Sequence, residues 1–237
     1  SNSGVSLWRS TLLLHGAGAS LAAGDLDTSA QLLAEVGERG GGMRRFGACM
    51  RQYFLGWDAL LRGDSWQAHE HARESVNLAE QLGAPFFQAL AGLALVQAQF
   101  AIGEAAAARE QLERTLRVAA PIRSLLFDYM ARLASAQLAQ SQGDTALAEQ
   151  QLRESLAMGR ERGFSYAMFW RPEHLAQLCV LALEKKIEPA YVASLIRSRN
   201  LMPAVPPYRL EAWPWTWRVR VLGQFALELP ARDGTAG

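Results

Sequence analysis

Apolar and small residues recur three or four positions apart along most of this chain, with polar residues between them. Two stretches forty residues apart show the spacing: Leu90, Leu93, Ala94 and Ala98, and then Met130, Leu133, Ala134 and Leu138. Residues spaced in this way lie on one face of an α-helix. The pattern predicts ten helices, over residues 4–23, 26–38, 44–62, 65–82, 85–102, 105–119, 122–142, 145–162, 166–185 and 188–198.

A glycine followed by an acidic residue interrupts this helical pattern at a nearly constant interval. The glycines are Gly24, Gly63, Gly103 and Gly143, so the intervals are 39, 40 and 40 residues. Glycine adopts the left-handed conformation that ends a helix, and an acidic residue at the start of the next helix favours its dipole or caps it. The sequence therefore predicts a repeat of about 40 residues, each consisting of two antiparallel helices.

Small or apolar residues occupy fixed positions after each of these glycines. Five positions after the glycine stand Ser29, Ala68, Ala108 and Ala148, and nine positions after it stand Leu33, Ala72, Leu112 and Leu152. Small side chains let two helices approach closely, so consecutive pairs can stack on one another. A fifth pair lacks the glycine, and residues 184–189 replace it. The predicted fold is an all-α superhelix, a solenoid of about five antiparallel helix pairs.

The repeat resembles the tetratricopeptide family. The small residue shortly after the turn is matched, and Leu55-Gly56 matches the Leu-Gly of that family's first helix. The usual repeat has 34 residues, whereas this one has about 40. Longer repeats of this kind are similar to the tetratricopeptide-like region of MalT-like bacterial transcriptional regulators. The resemblance covers residues 4–198 and implies a sensor that relays its state to nucleotide-binding and DNA-binding domains outside this chain.

The C-terminal part has a different character. Four prolines fall between residues 203 and 214, which no continuous helix tolerates. Apolar residues then alternate around Gly223, which predicts two β-strands or one bulged strand, followed by a turn at residues 232–234. Residues 219–225 are similar to the opening of the winged-helix domain in antibiotic-regulatory, SARP-type activators. We therefore divide the chain into a repeat domain at 1–198, a Pro/Trp-rich linker at 199–217 and the start of a winged helix at 218–237.

The tryptophans of the linker, Trp213, Trp215 and Trp217, alternate with Pro214 and Thr216. They allow two interpretations: a binding surface for a sugar or peptide, or an anchor that attaches the linker to a neighbouring domain. We favour the anchor, because buried aromatic area is strongly stabilising.

Composition and charge exclude several classes of protein. Half of the residues are apolar, and 24 basic residues nearly balance 23 acidic ones, so no global charge attracts nucleic acid or a membrane. No apolar run approaches the roughly 18 residues of a membrane span, and no signal peptide opens the chain. The two cysteines lie far apart and match no metal spacing. We expect a cytoplasmic protein with buried thiols.

Motifs for catalysis or cofactor binding are missing from the sequence. No glycine is followed by Lys-Ser or Lys-Thr, as a P-loop requires. His69 and His71 are two residues apart and point to diverging faces of a helix, which is poor geometry for a metal. We therefore expect no catalytic residue, no metal and no cofactor, and we do not expect an enzyme.

Residues forty positions apart form columns that suggest a binding groove. Trp57, Gln97, Gln137 and Gln177 form one column; Met50, Leu90, Met130 and Trp170 form a second; Tyr53, Leu93, Leu133 and Glu173 form a third. By the tetratricopeptide alignment these positions lie on first helices, on or near the concave wall. Glutamines suit a peptide backbone or a sugar hydroxyl, because each offers donors and an acceptor; the alternative is that they are solvated or bond to neighbouring helices. The candidate groove residues are Tyr53, Trp57, Gln97, Gln137, Trp170, Glu173, His174 and Gln177.

The sequence thus favours a regulatory and protein-interaction module of a bacterial transcriptional regulator. A partner protein, a peptide or a small-molecule inducer would occupy the groove, and DNA would be contacted only by a domain outside this chain. The competing interpretation is a helical-repeat scaffold that assembles proteins without a transcriptional role. An enzyme on an α/α scaffold is a third.

Overall fold

The computed structural model of the chain describes residues 3–38, 45–220 and 226–228. Within these residues the fold is all-α, as predicted, with a short β tail. A 3₁₀ turn, Ala120–Ile122, precedes the seventh helix. The helices are α1 (Ser3–Ala23), α2 (Leu26–Glu38), α3 (Arg45–Leu61), α4 (Ser65–Leu82), α5 (Pro85–Ala101), α6 (Ala105–Ala119), α7 (Leu125–Ser141), α8 (Thr145–Arg162), α9 (Pro172–Glu184) and α10 (Pro189–Arg199).

The chain forms two compact units, Ser1–Arg171 and Pro172–Gly237. In the first unit the helices pack in consecutive pairs, α1 with α2, α3 with α4, α5 with α6 and α7 with α8. The first helices of successive pairs, α1, α3, α5 and α7, also contact one another. In the second unit α9 packs against α10. Packing between sequence neighbours is the arrangement of a helical-repeat protein, and the helical-repeat prediction is confirmed.

The four predicted glycine turns are present. Gly24, Gly63, Gly103 and Gly143 all have positive φ, between 78° and 86°. None of them lies inside a helix, and residues without a Cβ adopt this conformation at no steric cost. The small and apolar residues that follow each glycine at fixed positions are buried, as the repeat requires.

The acidic residue after the glycine ends one helix and begins the next. The backbone N–H of Asp64 donates to Ala59 O at 2.9 Å, which closes α3, while its carboxylate accepts from Gln67 N at 3.0 Å, which caps α4. Asp25 and Asp144 make the same two bonds at their turns. Glu104 makes the backbone bond but no side-chain cap. One residue therefore pairs a free C=O at the end of one helix and a free N–H at the start of the next.

Two predicted helix starts differ from the structure by more than one residue. Helix α7 begins at Leu125 rather than 122, because Arg123 adopts a left-handed conformation and Ser124 caps the helix. Helix α9 begins at Pro172 rather than 166. Phe169 has a left-handed φ of 59°, and a residue before proline is disfavoured in the helical region. Trp170 therefore does not lie on a first helix, contrary to the columnar alignment.

The β tail is a pair of short strands. Strand β1 (Arg218–Arg220) pairs antiparallel with β2 (Ala226–Glu228), and Val219 lies opposite Leu227. This is the two-strand alternative of the sequence prediction. Gly223, the predicted turn at 232–234 and the glycine run at 40–42 lie outside the described residues.

Candidate functional site

The candidate site is the first-helix wall, which we define as the column residues of α3, α5 and α7. The glutamine column and the tyrosine column both fall on these helices, as their forty-residue spacing predicts. Tyr53, Trp57, Gln97 and Gln137 are all buried, with at most 5% of their surface exposed. The wall is therefore covered by other parts of the chain rather than by solvent.

Part of this cover is a non-helical stretch of the same chain. Residues 164–171, which we call the crossing segment, connect the end of α8 to the start of α9 and read Phe-Ser-Tyr-Ala-Met-Phe-Trp-Arg. Phe164 packs on Tyr129 of α7, with ring centroids 5.4 Å apart. Further along, Tyr166 packs on Trp57 of α3 at 5.8 Å. The segment therefore runs from the fourth helix pair back to the second.

The deepest contact of the crossing segment is at Phe169. Its ring lies 5.4 Å from that of Tyr53, and only 1% of the residue is exposed. A Cβ on Gly56 would lie 3.1 Å from Phe169 Cζ and 3.3 Å from the backbone of α4. Glycine at this position thus lets α4 pack closely on one side of α3 and lets the Phe169 ring pack on it as well.

The polar groups of the wall are only partly satisfied. Gln97 Nε2 donates to Gln137 Oε1 at 2.9 Å, which links α5 to α7 across one repeat. Four buried atoms of the wall have no hydrogen-bond partner among the described residues: Gln97 Oε1, Gln137 Nε2, Tyr53 Oη and Trp57 Nε1. Rotating both amides by half a turn reverses the donor and acceptor but still leaves one of each unpaired. Each unpaired buried group costs about 1–3 kcal/mol.

The wall carries no charge of its own. Burial raises the pKa of the Tyr53 phenol far above its usual value, and the neighbouring Tyr166 adds to the effect. The phenol therefore stays neutral and acts as a hydrogen-bonding group. The arrangement offers apolar and aromatic surface with several neutral donors and acceptors, which is chemistry for binding a polypeptide rather than for proton transfer.

The remaining predicted groove residues lie elsewhere. Trp170 is buried within the crossing segment. Glu173, His174 and Gln177 lie on α9, in the second unit; the first two are half-buried and Gln177 is exposed. Their role in a groove stays a prediction.

The linker tryptophans differ in their surroundings. Trp213 is 2% exposed, whereas Trp217 is 54% exposed. Trp215 stacks on Tyr208, with centroids 5.8 Å apart and ring planes within 3° of parallel. Their predicted role as an anchor stays a prediction.

Sequence reasoning missed the crossing segment. A signal for it was present: four of the seven residues from Phe164 to Trp170 are aromatic, and the stretch lies between Gly163 and Pro172. Gly163 ends α8 with a φ of 68°, and Pro172 begins α9, so both ends are marked by residues that stop or start helices. The regularity of the repeat instead predicted a helix that starts at residue 166.

Sequence reasoning also missed a cavity of about 600 Å³ between α4 and α6, over α5. Arg73, Arg114 and Arg117 line it, together with His69 and the buried Gln99. Arg114 and Arg117 are exposed, and neither forms an ion pair with the described residues. Its lining comes from three helices that meet only in the folded chain, so the sequence analysis did not indicate it.

The described residues contain no cluster of three histidine, cysteine or acidic side chains able to hold a metal ion. His71 Nδ1 lies 2.6 Å from Gln52 Oε1. His69 Nδ1 lies 3.5 Å from Glu70 Oε1, and the His69 ring meets that of Trp66 edge-on. Among the helices that the structure describes, none is both long and apolar enough to cross a membrane.

Comparisons with known proteins identify the fold. No protein-family model matches the chain, and no curated protein sequence matches it significantly. Among solved structures, the chain is similar to the crystal structure of the apo form of RapI, a tetratricopeptide-like helical-repeat protein. The TM-score is 0.56 at 8% sequence identity, with 81% of this chain and 69% of that chain covered. At this identity the similarity establishes a helical-repeat fold alone.

Proposed function

We propose that the first unit is an interaction module whose first-helix wall binds an extended segment of a partner protein. The observation that carries the proposal is the crossing segment, a non-helical stretch of polypeptide that already lies on this wall. Tyr53 and Trp57 contact its aromatic side chains, and Gly56 makes room for one of them. A surface that accommodates one such stretch has the shape and chemistry to accommodate another.

A peptide is favoured over a small-molecule inducer by the composition of the wall. The unpaired groups include the indole N–H of Trp57, the Tyr53 hydroxyl and one amide group of each glutamine. The N–H and C=O groups of a peptide backbone complement such a mixture of donors and acceptors. Aromatic anchors and backbone hydrogen bonds together are the usual basis for recognising extended peptides.

We also propose that this module belongs to a bacterial transcriptional regulator. The resemblances of residues 4–198 and 219–225 support that role, with DNA contacted by a domain outside these 237 residues. The nearly balanced charge supports an indirect role for the repeats, since DNA recognition needs a basic face. The competing function is a protein-assembly scaffold without a transcriptional role.

Selection from a library of random twelve-residue peptides tests the peptide site. We expect the selected peptides to be rich in aromatic residues and to lose at least tenfold in affinity when Trp57 is replaced by Ala. The matched control is Trp66→Ala on α4, because Trp66 is 66% exposed and lies on the other helix of the same pair. Peptides that bind Trp57→Ala and the unmodified chain equally well would place the binding site elsewhere.

A DNA titration tests the transcriptional role. The 237-residue chain and a polypeptide extended by about one hundred residues, the size of a small domain, are compared on the native promoter at one moderate salt concentration. We expect specific binding by the longer polypeptide only. Specific binding by the shorter chain, or none by a folded longer one, would contradict the proposal.

A further inference from the structure

We infer that the crossing segment is an internal competitor, which occupies the partner's binding site and is displaced by a peptide with two aromatic residues three positions apart. The inference rests on the proposed function, because it identifies what the wall binds and how binding is controlled. Tyr166 and Phe169 supply the pattern, since each packs on an aromatic side chain of α3.

The contacts that hold the segment on α3 are long-range in sequence. Tyr166 and Trp57 are more than one hundred residues apart, as are Phe169 and Tyr53. The intervening helices pack mainly with their sequence neighbours, so these aromatic contacts add to a stack of helix pairs that is already complete. The segment can therefore leave the wall without separating any helix pair.

The bound segment fits the wall incompletely. It buries Tyr53 and Trp57, yet Tyr53 Oη and Trp57 Nε1 have no hydrogen-bond partner among the described residues. Phe169 is also held at a φ of 59°, a conformation that a bulky residue adopts only when its surroundings impose it. A separate peptide can place the same aromatic rings without this strain and can pair its backbone with the two free groups. It would then bind in preference to the segment.

The ends of the segment are suited to release. Gly163 at its start already has a left-handed conformation, and Pro172 after its end begins α9. Residues 165–171 belong to no helix, so they can detach without unwinding one, while the Phe164 N–H keeps its bond to Gly159 O at the end of α8. Local opening of such a segment costs its side-chain contacts but no turn of helix.

Displacement has a structural consequence. The segment ends at Arg171, where the first compact unit ends and the second begins. When a partner peptide occupies the wall, these eight residues no longer lie on α3. Binding on the first unit thereby shifts the population toward chains with a released segment, which is a physical route for a signal.

The test uses the segment's own sequence as the probe. A fluorescein-labelled synthetic peptide, Phe-Ser-Tyr-Ala-Met-Phe-Trp-Arg with two added lysines for solubility, is titrated by anisotropy against four full-length chains. These are the unmodified chain, the double variant Tyr166→Ser/Phe169→Ser, that double variant with Trp57→Ala, and the double variant with Trp66→Ala. Circular dichroism verifies that each retains its helices.

We expect the double variant to bind the peptide at least tenfold more tightly than the unmodified chain, because its own segment no longer competes. Adding Trp57→Ala should abolish the gain, and adding Trp66→Ala should leave it intact. A scrambled peptide should not bind. Equal, Trp57-dependent binding to the unmodified chain and the double variant would overturn the competition but leave the peptide site standing. No Trp57-dependent binding to any chain would overturn the proposed function as well.

Hydrogen exchange of the unmodified chain supplies a second measurement that needs no variant. Amides of residues 165–170 should exchange at least tenfold faster than those inside α7 and α8, and through an opening that leaves these helices protected. Exchange as slow as in the interior of α7 would overturn the inference. Concentration-dependent dimers that form through exchanged segments would also overturn it, because they would make a second copy the occupant.

Discussion

At the level of single residues, the Gln97–Gln137 pair shows how a buried polar group is tolerated within a repeat. Both side chains are buried, and the amide nitrogen of Gln97 donates to the amide oxygen of Gln137 on a neighbouring helix. Replacing one glutamine leaves the amide of the other without a hydrogen-bond partner in the interior. Replacing both by apolar residues leaves no buried amide that needs a partner. The two glutamines should therefore behave as one energetic unit.

Single and double replacements by Met, which has nearly the same shape, test this coupling. Gln97→Met alone and Gln137→Met alone should each lower the free energy of unfolding by about 1–3 kcal/mol. The double variant should recover most of that loss. Urea unfolding of the four chains gives the double-mutant cycle, and additive losses would show that the hydrogen bond contributes nothing.

His71 gives the chain a predicted pH dependence. Burial lowers the pKa of His71 below its usual value, and the Arg51 guanidinium adds to this effect against the opposing carboxylates of Asp64 and Glu70. Below about pH 6.5 the unfolded chain takes up a proton that the folded chain resists, so the unfolded state binds more protons. Stability should be fully present above that pH and fall as the pH drops from 7 to 5.

Urea unfolding at pH 7 and pH 5 measures this effect. His71→Gln should lose less stability between the two pH values than the unmodified chain does. The matched control is His15→Gln, which removes an exposed imidazole on α1, so that the difference between the two variants reports the surroundings of His71. A larger loss of stability between pH 7 and pH 5 in His71→Gln than in the unmodified chain would contradict the prediction.

At the level of helices, glycine has two distinct uses in this chain. At the turns, a Cβ on Gly63 or Gly143 would meet nothing within 4 Å, so these residues are required by their positive φ alone. Inside α5, Gly92 is required by a close approach instead. A Cβ there would overlap Thr115 Oγ1 and lie 3.1 Å from Thr115 Cγ2 on α6. The α5–α6 pair therefore packs closely because Gly92 lacks a side chain.

Gly92→Ala should destabilise the protein, although Ala favours a helix over Gly by about 1 kcal/mol. Thr115 is stiff and its hydroxyl donates to Gln111 O, so it cannot move aside without loss. We expect a net loss of about 1–3 kcal/mol in thermal or urea unfolding. In a Thr115→Ala background only Thr115 Cβ remains close to the added methyl group, at 3.2 Å, so the same replacement should cost much less.

The matched control is Gly16→Ala in α1. There the nearest atom to an added Cβ is Leu32 Cδ1 at 3.2 Å, the end of a flexible side chain. This replacement should be neutral or stabilising. Equal losses at Gly16 and Gly92 would mean that the Thr115 contact does not decide the outcome.

At the level of the whole molecule, the crossing segment changes how the first unit holds together. A helical-repeat array is stabilised mainly by contacts between neighbouring pairs, so its parts can unfold separately. Here Phe169 joins the end of the fourth pair to α3 of the second pair, through Tyr53 and Gly56. This long-range contact couples pairs that would otherwise interact only through α5 and α6.

Phe169→Ala should therefore lower both stability and cooperativity. A buried Phe replaced by Ala costs about 3–5 kcal/mol, and loss of the coupling should also reduce the urea m-value. The matched control is Leu152→Ala on α8, a fully buried residue whose position lies within the repeat core. Leu152→Ala should lower the free energy of unfolding but leave the m-value nearly unchanged. An equal fall of the m-value in both variants would argue against a coupling role for the segment.

Much of the fold followed from local sequence. Gly63 and Asp64 mark a helix end and a helix start by conformational preference and by short hydrogen bonds, which involve only residues a few positions away. The buried small residue at Ala68 follows the same turn at a fixed distance along one helix. Because these interactions are local and repeat every forty residues, the sequence alone predicted most helix bounds within one residue. It also placed Gln97 and Gln137 in one column, with a bond between neighbouring helices as one of two alternatives.

The path of residues 164–171 could not be predicted from local sequence. Its place depends on Phe169 meeting Tyr53 and Gly56, which lie more than one hundred residues earlier, and no local preference encodes that encounter. Periodicity placed Trp170 on a helix because the repeat continues in α9 from Pro172 onward. The long-range aromatic contacts overcame the weak helical preference of a short stretch and imposed a left-handed Phe169, since burying several aromatic rings is worth more than one turn of helix.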